Sequence, residues 1–463
     1  MVFSSLTFLF AYLPLVLLAY FTVPLRFRNL VLLLVSLFFY GWGEPVYVLI
    51  MIASITVNWL FGLYIAKYRD TAPVKAKRGL VLCIVFNLLL LGFFKYWDFL
   101  AVNLNRLNIR FIKPLRLGLP IGISFYTFQT MSYPIDLWRG ETTVQKSIVR
   151  FGAYVSMFPQ LIAGPIVRYT DIAEQLEERS TDTDKFYHGV MRFLCGLAKK
   201  VLLANRVGMI FEEISVLPAF SQSALTAWIG ILAYAFQIYF DFSGYSDMAI
   251  GLGKIFGFDF LENFNYPYIS RSVTEFWRRW HMSLSYWFRD YVYIPLGGNR
   301  CGLPRQIFNI TVVWLLTGFW HGASWNFVLW GVFYGFVLII EKIFLLKHLQ
   351  KLPAWVGHLY TILIVLFAWV LFAFTDIAKG MTYFSYMMGS QGLVNGLALY
   401  YLRDAGILLV ICALASTPYF RDHFSVYDTK LKYAAPVLAL LCLFVCTAFI
   451  VDASYNPFLY FRF

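Results

Sequence analysis

Charged side chains are scarce in this sequence. Aspartate, glutamate, lysine and arginine make up 14% of the 463 residues, hydrophobic residues make up 60%, and the mean hydropathy is +0.67. Roughly a quarter of the residues in a soluble domain are charged, so this composition excludes a soluble globular chain and indicates an integral membrane protein. Because about 20 apolar residues cross one bilayer, the length suits a single membrane-embedded domain over residues 1–463.

Acidic residues are scarcer than basic ones: 25 against 38, which gives a net charge of +13. In a membrane protein, lysine and arginine collect in cytoplasmic loops and at the anionic inner leaflet, so we expect membrane lipid and no nucleic acid as the partner of this charge. The loop over residues 67–78 carries five basic residues and one acid, and we therefore place it in the cytoplasm.

The sequence also lacks several motifs of soluble enzymes. Its six cysteines form no C-x-x-C pair, and it contains no HExxH, G-x-S-x-G, P-loop or G-x-G-x-x-G pattern. These absences argue against a zinc site, a serine nucleophile and a bound nucleotide, so we expect no metal and no bound cofactor. No basic region precedes the first apolar run and no A-x-A site follows it, which argues against a cleaved signal peptide.

Apolar runs recur along the chain and predict an all-α, multi-pass membrane protein with about ten or eleven transmembrane helices. Some runs are short or interrupted by glycine and proline, so we also expect re-entrant and interfacial helices. The runs cover residues 5–23, 29–42, 46–66, 80–97, 121–137, 150–166, 224–240, 307–320, 324–346, 355–375, 404–417 and 434–451. A polar stretch over 168–206 ends in an amphipathic pattern, with Lys199 and Lys200 outside its apolar stripe, which predicts a helix in the cytoplasmic interface.

Aromatic rings, arginines and a histidine are concentrated in "SRSVTEFWRRWHMSLSYWFRDYVYIPLGGNR". On one continuous helix, Trp277, His281 and Ser285 would share a face, with Arg278 and Arg279 beside it. One interpretation is a pocket wall in which arginines bind phosphate and the histidine transfers protons. The other is an interfacial helix with an aromatic belt and snorkelling arginines, which composition alone favours. The tail "YIPLGGNR" supports the pocket, because its glycines let backbone approach a ligand.

Two carboxylates, Asp241 and Asp247, lie in an otherwise apolar segment. Carboxylates inside a membrane are costly and usually line a cavity or pair with a cation. We expect Asp247 to pair with Lys254 or with one of the arginines in the stretch above. A structural ion pair explains these carboxylates at least as well as catalysis.

A histidine also interrupts the apolar stretch "WLLTGFWHGASWNFVLWG". His321 lies in its middle, and both His321 and His281 follow a tryptophan. A neutral imidazole is less costly to bury than a carboxylate and can still accept a proton. With no protein nucleophile in evidence, this pattern predicts a base that removes a proton from a substrate hydroxyl as the hydroxyl attacks an activated acyl group.

The sequence resembles the membrane-bound O-acyltransferases, and within them the bacterial alginate O-acetyltransferase type. The resemblance covers almost the whole chain, and its segments are weak one by one and specific together. They read "FYGWGEP", "LPIGISFYTFQTMSYPIDLWRG", "MFPQLIAGPIVRY", "QIYFDFSGYSDMAIGLGKIFGF", "SRSVTEFWRRWHMSLSYWFRDYVYIPLGGNR" and "TGFWHGASWNFVLWG".

The resemblance implies that His321 is the catalytic histidine and that His281 is the second histidine of the family. We expect His281 to take part in catalysis by orienting the acyl donor or polarising its carbonyl. It implies a ring of tilted helices around a thin core, with cytoplasmic and extracellular funnels that meet near the catalytic histidine. The expected parts are N-terminal helices over about residues 1–120, a catalytic core over about 121–346 and C-terminal helices over about 347–463.

The resemblance further implies an acyl donor that enters from the cytoplasm and an acceptor that enters from outside. Arg278, Arg279 and Arg300 are candidates to bind the phosphates of acetyl-CoA as the donor. Candidates to shape the pocket near the histidines are Trp277, Ser285, Trp320, Trp325, Asn326, Asp241 and Asp247.

The expected function is therefore transfer of an acetyl group from cytoplasmic acetyl-CoA across the bacterial inner membrane, for O-acetylation of an exported polysaccharide. A periplasmic or extracellular partner protein would complete the transfer. One alternative is D-alanyl or other acyl transfer to teichoic acid or another envelope acceptor. A second is a transporter without chemistry, although the sequence lacks the repeated halves that such a protein would need.

Overall fold

The computed structural model describes residues 1–109, 112–162, 164–423, 434–452 and 459, and their regular secondary structure is entirely helical. The α-helices are α1 (Leu13–Thr22), α2 (Arg28–Gly43), α3 (Tyr47–Tyr68), α4 (Pro73–Arg106), α5 (Ile123–Arg139), α6 (Ile148–Ser156), α7 (Phe158–Leu161), α8 (Tyr169–Glu177), α9 (Thr183–Ala198), α10 (Asn205–Ser215), α11 (Ala224–Ile255), α12 (Val273–Arg279), α13 (Met282–Phe288), α14 (Leu303–His321), α15 (Trp325–Ile340), α16 (Leu346–Leu349), α17 (Ala354–Ala373), α18 (Ile377–Met387), α19 (Gly396–Ala415), α20 (Tyr419–His423) and α21 (Ala434–Asp452).

Within the described residues, eight helices are long and apolar enough to cross a membrane. They cover Leu25–Gly43, Tyr47–Tyr68, Pro73–Arg106, Ala224–Ile255, Trp325–Leu349, Ala354–Ala373, Gly396–Ala415 and Ala434–Asp452. The prediction of an all-α, multi-pass membrane protein is confirmed, with eight such helices against the expected ten or eleven. The difference arises partly because the runs at 121–137 and 150–166 form the shorter, largely buried helices α5, α6 and α7. Which loops face the cytoplasm stays a prediction.

The described chain forms two compact units, Met1–Phe193 with Ser246–Leu261, and Leu194–Tyr245 with Glu262–Phe463. In the first unit, α9 and α11 meet where Gly189 faces Gly251, and a Cβ atom on either glycine would lie less than 3 Å from the backbone of the other helix. This contact brings Arg192 within 2.6 Å of Asp247. The predicted pairing of Asp247 with Lys254 or an arginine of residues 270–300 was therefore wrong, because the glycine contact places a different helix beside the carboxylate.

The second unit contains a buried ion pair between Lys200 and Asp241. The Nζ atom of Lys200 lies 2.7 Å from Oδ1 of Asp241, and the two side chains are 5% and 3% exposed. Lys200 belongs to a π-helical segment, Lys199–Ala204, which directly follows α9. Lys200 was expected outside the apolar stripe of an interfacial helix, and the structure buries it, where Asp241 provides the counter-charge.

Candidate active site

His321 is the last residue of α14, and the chain turns directly into α15 through an extended Gly322. The two helices form a tight hairpin because Gly318 and Gly331 face each other. A Cβ atom on Gly318 would overlap the carbonyl oxygen of Phe327, and one on Gly331 would overlap that of Trp314. Backbone therefore packs on backbone, and the position of His321 is fixed by the hairpin itself.

Aromatic rings surround the buried imidazole of His321, which is 4% exposed. Its ring centroid lies 5.1 Å from that of Trp320, 4.9 Å from that of Trp330 and 5.2 Å from that of Phe372. Trp330 comes from α15 and Phe372 from the end of α17. An imidazole in such a setting is shielded from water and is suited to proton exchange with a bound substrate.

Two more buried side chains, Trp277 and Tyr334, pack edge to face with Trp330 and with each other, at centroid distances of 4.9–5.5 Å. The polar atoms of these three residues, two indole N–H groups and one hydroxyl, are buried and find no hydrogen-bond partner among the residues that the structure describes. Buried donors of this kind are normally satisfied, and one of the three residues, Trp330, contacts the ring of His321 directly.

The helix predicted through Trp277, His281 and Ser285 is broken at His281, so that prediction was wrong. His281 has φ 45, in the left-handed region, and separates α12 from α13. An L-residue in this conformation costs roughly 1–3 kcal/mol and persists only where its surroundings hold it. Neither glycine nor proline marks the break in the sequence. The hydroxyl of Ser285 still donates to the carbonyl of Trp277 at 3.2 Å, across the break.

Asn263 holds the buried ring of His281. The Oδ1 atom of Asn263 accepts hydrogen bonds from the backbone N–H and the hydroxyl of Ser283, at 3.2 and 2.9 Å, so this oxygen is an acceptor. The Nδ1 atom of His281, 3.1 Å away, must then be the donor, which leaves the lone pair on Nε2. Burial lowers the pKa of His281 well below its usual range, so the ring is neutral at neutral pH.

The two histidines contact the same indole. The ring of Trp320 lies 5.7 Å from that of His281 and 5.1 Å from that of His321, measured between centroids. The structure thus brings together three of the predicted site residues, His281, Trp320 and His321, although His281 lies about 40 residues before the other two. Asn326 is also buried nearby on α15, where its Nδ2 atom donates to the carbonyl of Leu371 at 3.2 Å.

The other predicted site residues lie outside this cluster. Trp325 is 48% exposed. Arg279 pairs with Glu275 at 3.0 Å, while Arg278 and Arg300 are exposed. Asp241 and Asp247 belong to the ion pairs described above.

Sequence reasoning missed Glu341, which is fully buried. Its two carboxylate oxygens accept the backbone N–H groups of Val273 and Thr274 at 2.7 and 2.8 Å, and so cap the start of α12. The sequence did contain a sign of this role: Glu341 is an acid within a predominantly apolar run, and such acids generally have a specific partner. Trp330 and Tyr334 were missed as well, although they follow Asn326 at four-residue intervals on one helical face.

A family model described as "MBOAT, membrane-bound O-acyltransferase family" matches residues 139–386, which include both histidines. The chain is similar to proteins named probable alginate O-acetylase AlgI. The one from Azotobacter vinelandii is 41% identical over 94% of this chain and 87% of its own length, and the one from Pseudomonas putida is 40% identical over 100% of both. The peptidoglycan O-acetyltransferase of Helicobacter pylori is 32% identical over 98% of this chain and 90% of its own.

The family match covers more than half of the chain, and the similarity to these relatives extends over nearly all of it. The resemblance inferred from the sequence segments is confirmed. The chain, an acyltransferase and a multi-pass integral membrane protein, belongs to the membrane-bound O-acyltransferase family.

Proposed function

We propose that this enzyme takes an acetyl group from acetyl-CoA at the cytoplasmic face of the bacterial inner membrane for O-acetylation of an exported polysaccharide, with His321 as general base. The observation that carries the proposal is the burial of His321 and His281, whose rings both contact the indole of Trp320. The names of the relatives support the acceptor class, because alginate and peptidoglycan are both carbohydrate polymers.

The proposed reaction is a direct transfer. The acceptor hydroxyl gives its proton to the His321 imidazole while its oxygen attacks the thioester carbonyl, and the former carbonyl oxygen becomes negatively charged. Collapse of this intermediate breaks the C–S bond, and the leaving thiolate takes the proton back from the imidazolium. Neutral His321 is restored, and no further reactant is needed.

The ring of Tyr334 packs on Trp330, which contacts His321, and we assign its buried hydroxyl to the stabilisation of the negative oxygen. Replacing Tyr334 with phenylalanine removes one hydroxyl and leaves the ring packing in place. We expect kcat to fall by roughly tenfold or more with little change in KM, since a donor that acts on the oxyanion contributes mainly in the transition state. Steady-state kinetics of the purified enzyme measures this, with Tyr400→Phe, an exposed position on α19, as the control. An unchanged kcat would remove Tyr334 from the oxyanion site.

The experiment that tests the function uses inverted membrane vesicles that contain this protein. Acetyl-labelled acetyl-CoA is supplied outside, which corresponds to the cytoplasmic face, and alkali-labile label is counted on lumenal polysaccharide or on a co-expressed periplasmic partner protein. We expect label to accumulate only in vesicles that carry the enzyme. If label is absent even with the partner present, acetyl-CoA is not the donor, and D-alanyl carrier protein is the donor to test next.

A further inference from the structure

A cavity of about 350 Å³ lies along the side of α12 that carries Arg278. Its polar side is formed by Arg271, Thr274, Glu275 and Arg278, which come from α12 and the residues just before it. The facing side comes from α16 and the start of α17. There the cavity is lined mainly by three leucines, Leu346, Leu349 and Leu352, together with Gln350. A site with one charged wall and one apolar wall is suited to an amphipathic ligand.

The charged wall is positive. The guanidinium groups of Arg271 and Arg278 form no hydrogen bond or ion pair within the part of the chain that the structure describes, and both side chains are exposed. The one carboxylate of the cavity is already engaged, because Glu275 pairs with Arg279 at 3.0 Å and accepts the backbone N–H of Arg271 at 2.9 Å. Two arginines therefore face the cavity without a compensating charge.

The start of α17 adds to this positive character. Ala354, its first residue, lines the cavity, and the preceding Pro353 gives the helix no side-chain cap. The N-terminus of a 20-residue helix presents backbone N–H groups and a partial positive charge, both of which favour an anion. Gly357 makes the close approach possible, since a Cβ atom there would lie 2.6 Å from the carbonyl oxygen of Arg271.

We propose that this cavity binds the phosphate groups of an amphipathic ligand, with Arg271 and Arg278 as the pair that contacts the phosphates. Arginine fits phosphate through paired N–H donors, and the leucines contact the apolar part of the ligand. Of the three arginines that the sequence suggested, Arg278 is retained. Arg271 takes the role suggested for Arg279, because the guanidinium of Arg279 is paired with Glu275.

The cavity and the histidines are linked by α12. Trp277, the neighbour of Arg278, packs on Trp330, whose ring lies against His321. Arg278 in the cavity wall is therefore two packed rings away from His321 along the chain of contacts. Acetyl-CoA carries phosphate groups and a pantetheine arm with both amide and methylene groups, and its identification as the ligand rests on the proposed function. An anionic phospholipid shares the phosphate and has fully apolar chains.

The test compares wild type with the Arg271→Gln/Arg278→Gln double variant, both purified in detergent. Binding of CoA is measured at equilibrium, and the shift in melting temperature is measured on adding phosphatidylglycerol or, as the neutral-headgroup control, phosphatidylcholine. Arg403→Gln, which removes an exposed arginine on α19, is the matched control. Arg271→Lys/Arg278→Lys keeps the charge and removes the planar fork. Size-exclusion chromatography checks that each variant is folded.

If the cavity holds donor phosphates, the glutamine double variant binds CoA at least tenfold more weakly, the lysine variant lies in between, and Arg403→Gln binds as wild type. If CoA binding is unchanged and stabilisation by phosphatidylglycerol is lost, the phosphate site stands and its ligand is a lipid. If neither changes, the proposal is overturned. Acetyl transfer by wild-type vesicles is scored separately, so a failed site and a failed donor assignment remain distinguishable.

Discussion

Glutamine in place of His321 should lower kcat for acetyl transfer by roughly 10²–10⁴-fold while the protein stays folded. Glutamine fills a similar volume and keeps hydrogen-bonding capacity, but it cannot take a proton from the acceptor hydroxyl. Binding of the donor should change little, because His321 acts on the acceptor and not on the phosphates. The measurement is kcat in the vesicle assay, together with CoA binding to the purified protein.

His423 provides the matched control, because it is an exposed histidine on α20 that stacks on Tyr419 at 4.4 Å. We expect His423→Gln to retain wild-type activity. If His321→Gln kept kcat within about threefold of wild type, a factor far below the range for general-base catalysis, the base would have to be sought elsewhere. The lone pair on Nε2 of His281 would then be the first candidate.

The second large effect should come from Asp241→Leu, which removes one partner of the buried ion pair and leaves the Lys200 ammonium without its counter-charge. Breaking such a pair typically costs roughly 3–5 kcal/mol of the free energy of unfolding, because the remaining charge stays desolvated. Asp241 also accepts the backbone N–H of Leu459 at 2.9 Å, and this bond is lost as well. We expect a marked drop in the melting temperature measured in detergent.

The double variant Lys200→Met/Asp241→Leu removes both charges and should recover most of the lost stability. Asp422→Leu is the control, because it breaks an ion pair with Arg421 that lies at the surface. The side chains of Arg421 and Asp422 are 60% and 52% exposed, and the melting temperature should change little. A single variant as stable as wild type, or a double variant as unstable as the single one, would contradict a stabilising role for the pair.

The sequence pointed to the centre of the site because its main residues break a local pattern. His281 and His321 are ionisable groups beside tryptophan in apolar surroundings, and the structure places both against Trp320. Their burial follows from the apolar segments that carry them. Whether they catalyse acyl transfer stays a prediction, which the variants above test.

The parts that sequence reasoning did not reach depend on contacts between distant segments. The break at His281 is maintained by Asn263, eighteen residues earlier, and no local residue preference marks it. The partner of Asp247 depends on which helix approaches Gly251, and that choice is made by packing of the whole unit. Arg271 lines the cavity because the start of α17, which follows much later in the chain, packs against its backbone at Gly357.

Laboratory evolution towards longer acyl groups would be constrained by the contact between α14 and α15. Backbone touches backbone at Gly318 and Gly331, so side-chain replacements there can only add volume and cannot create room beside His321. Phe372 on α17 is different, because a side chain, not backbone, meets the imidazole there, at 5.2 Å between ring centroids. Libraries that seek a wider acyl-group range should therefore vary Phe372 and leave the glycines of the hairpin unchanged.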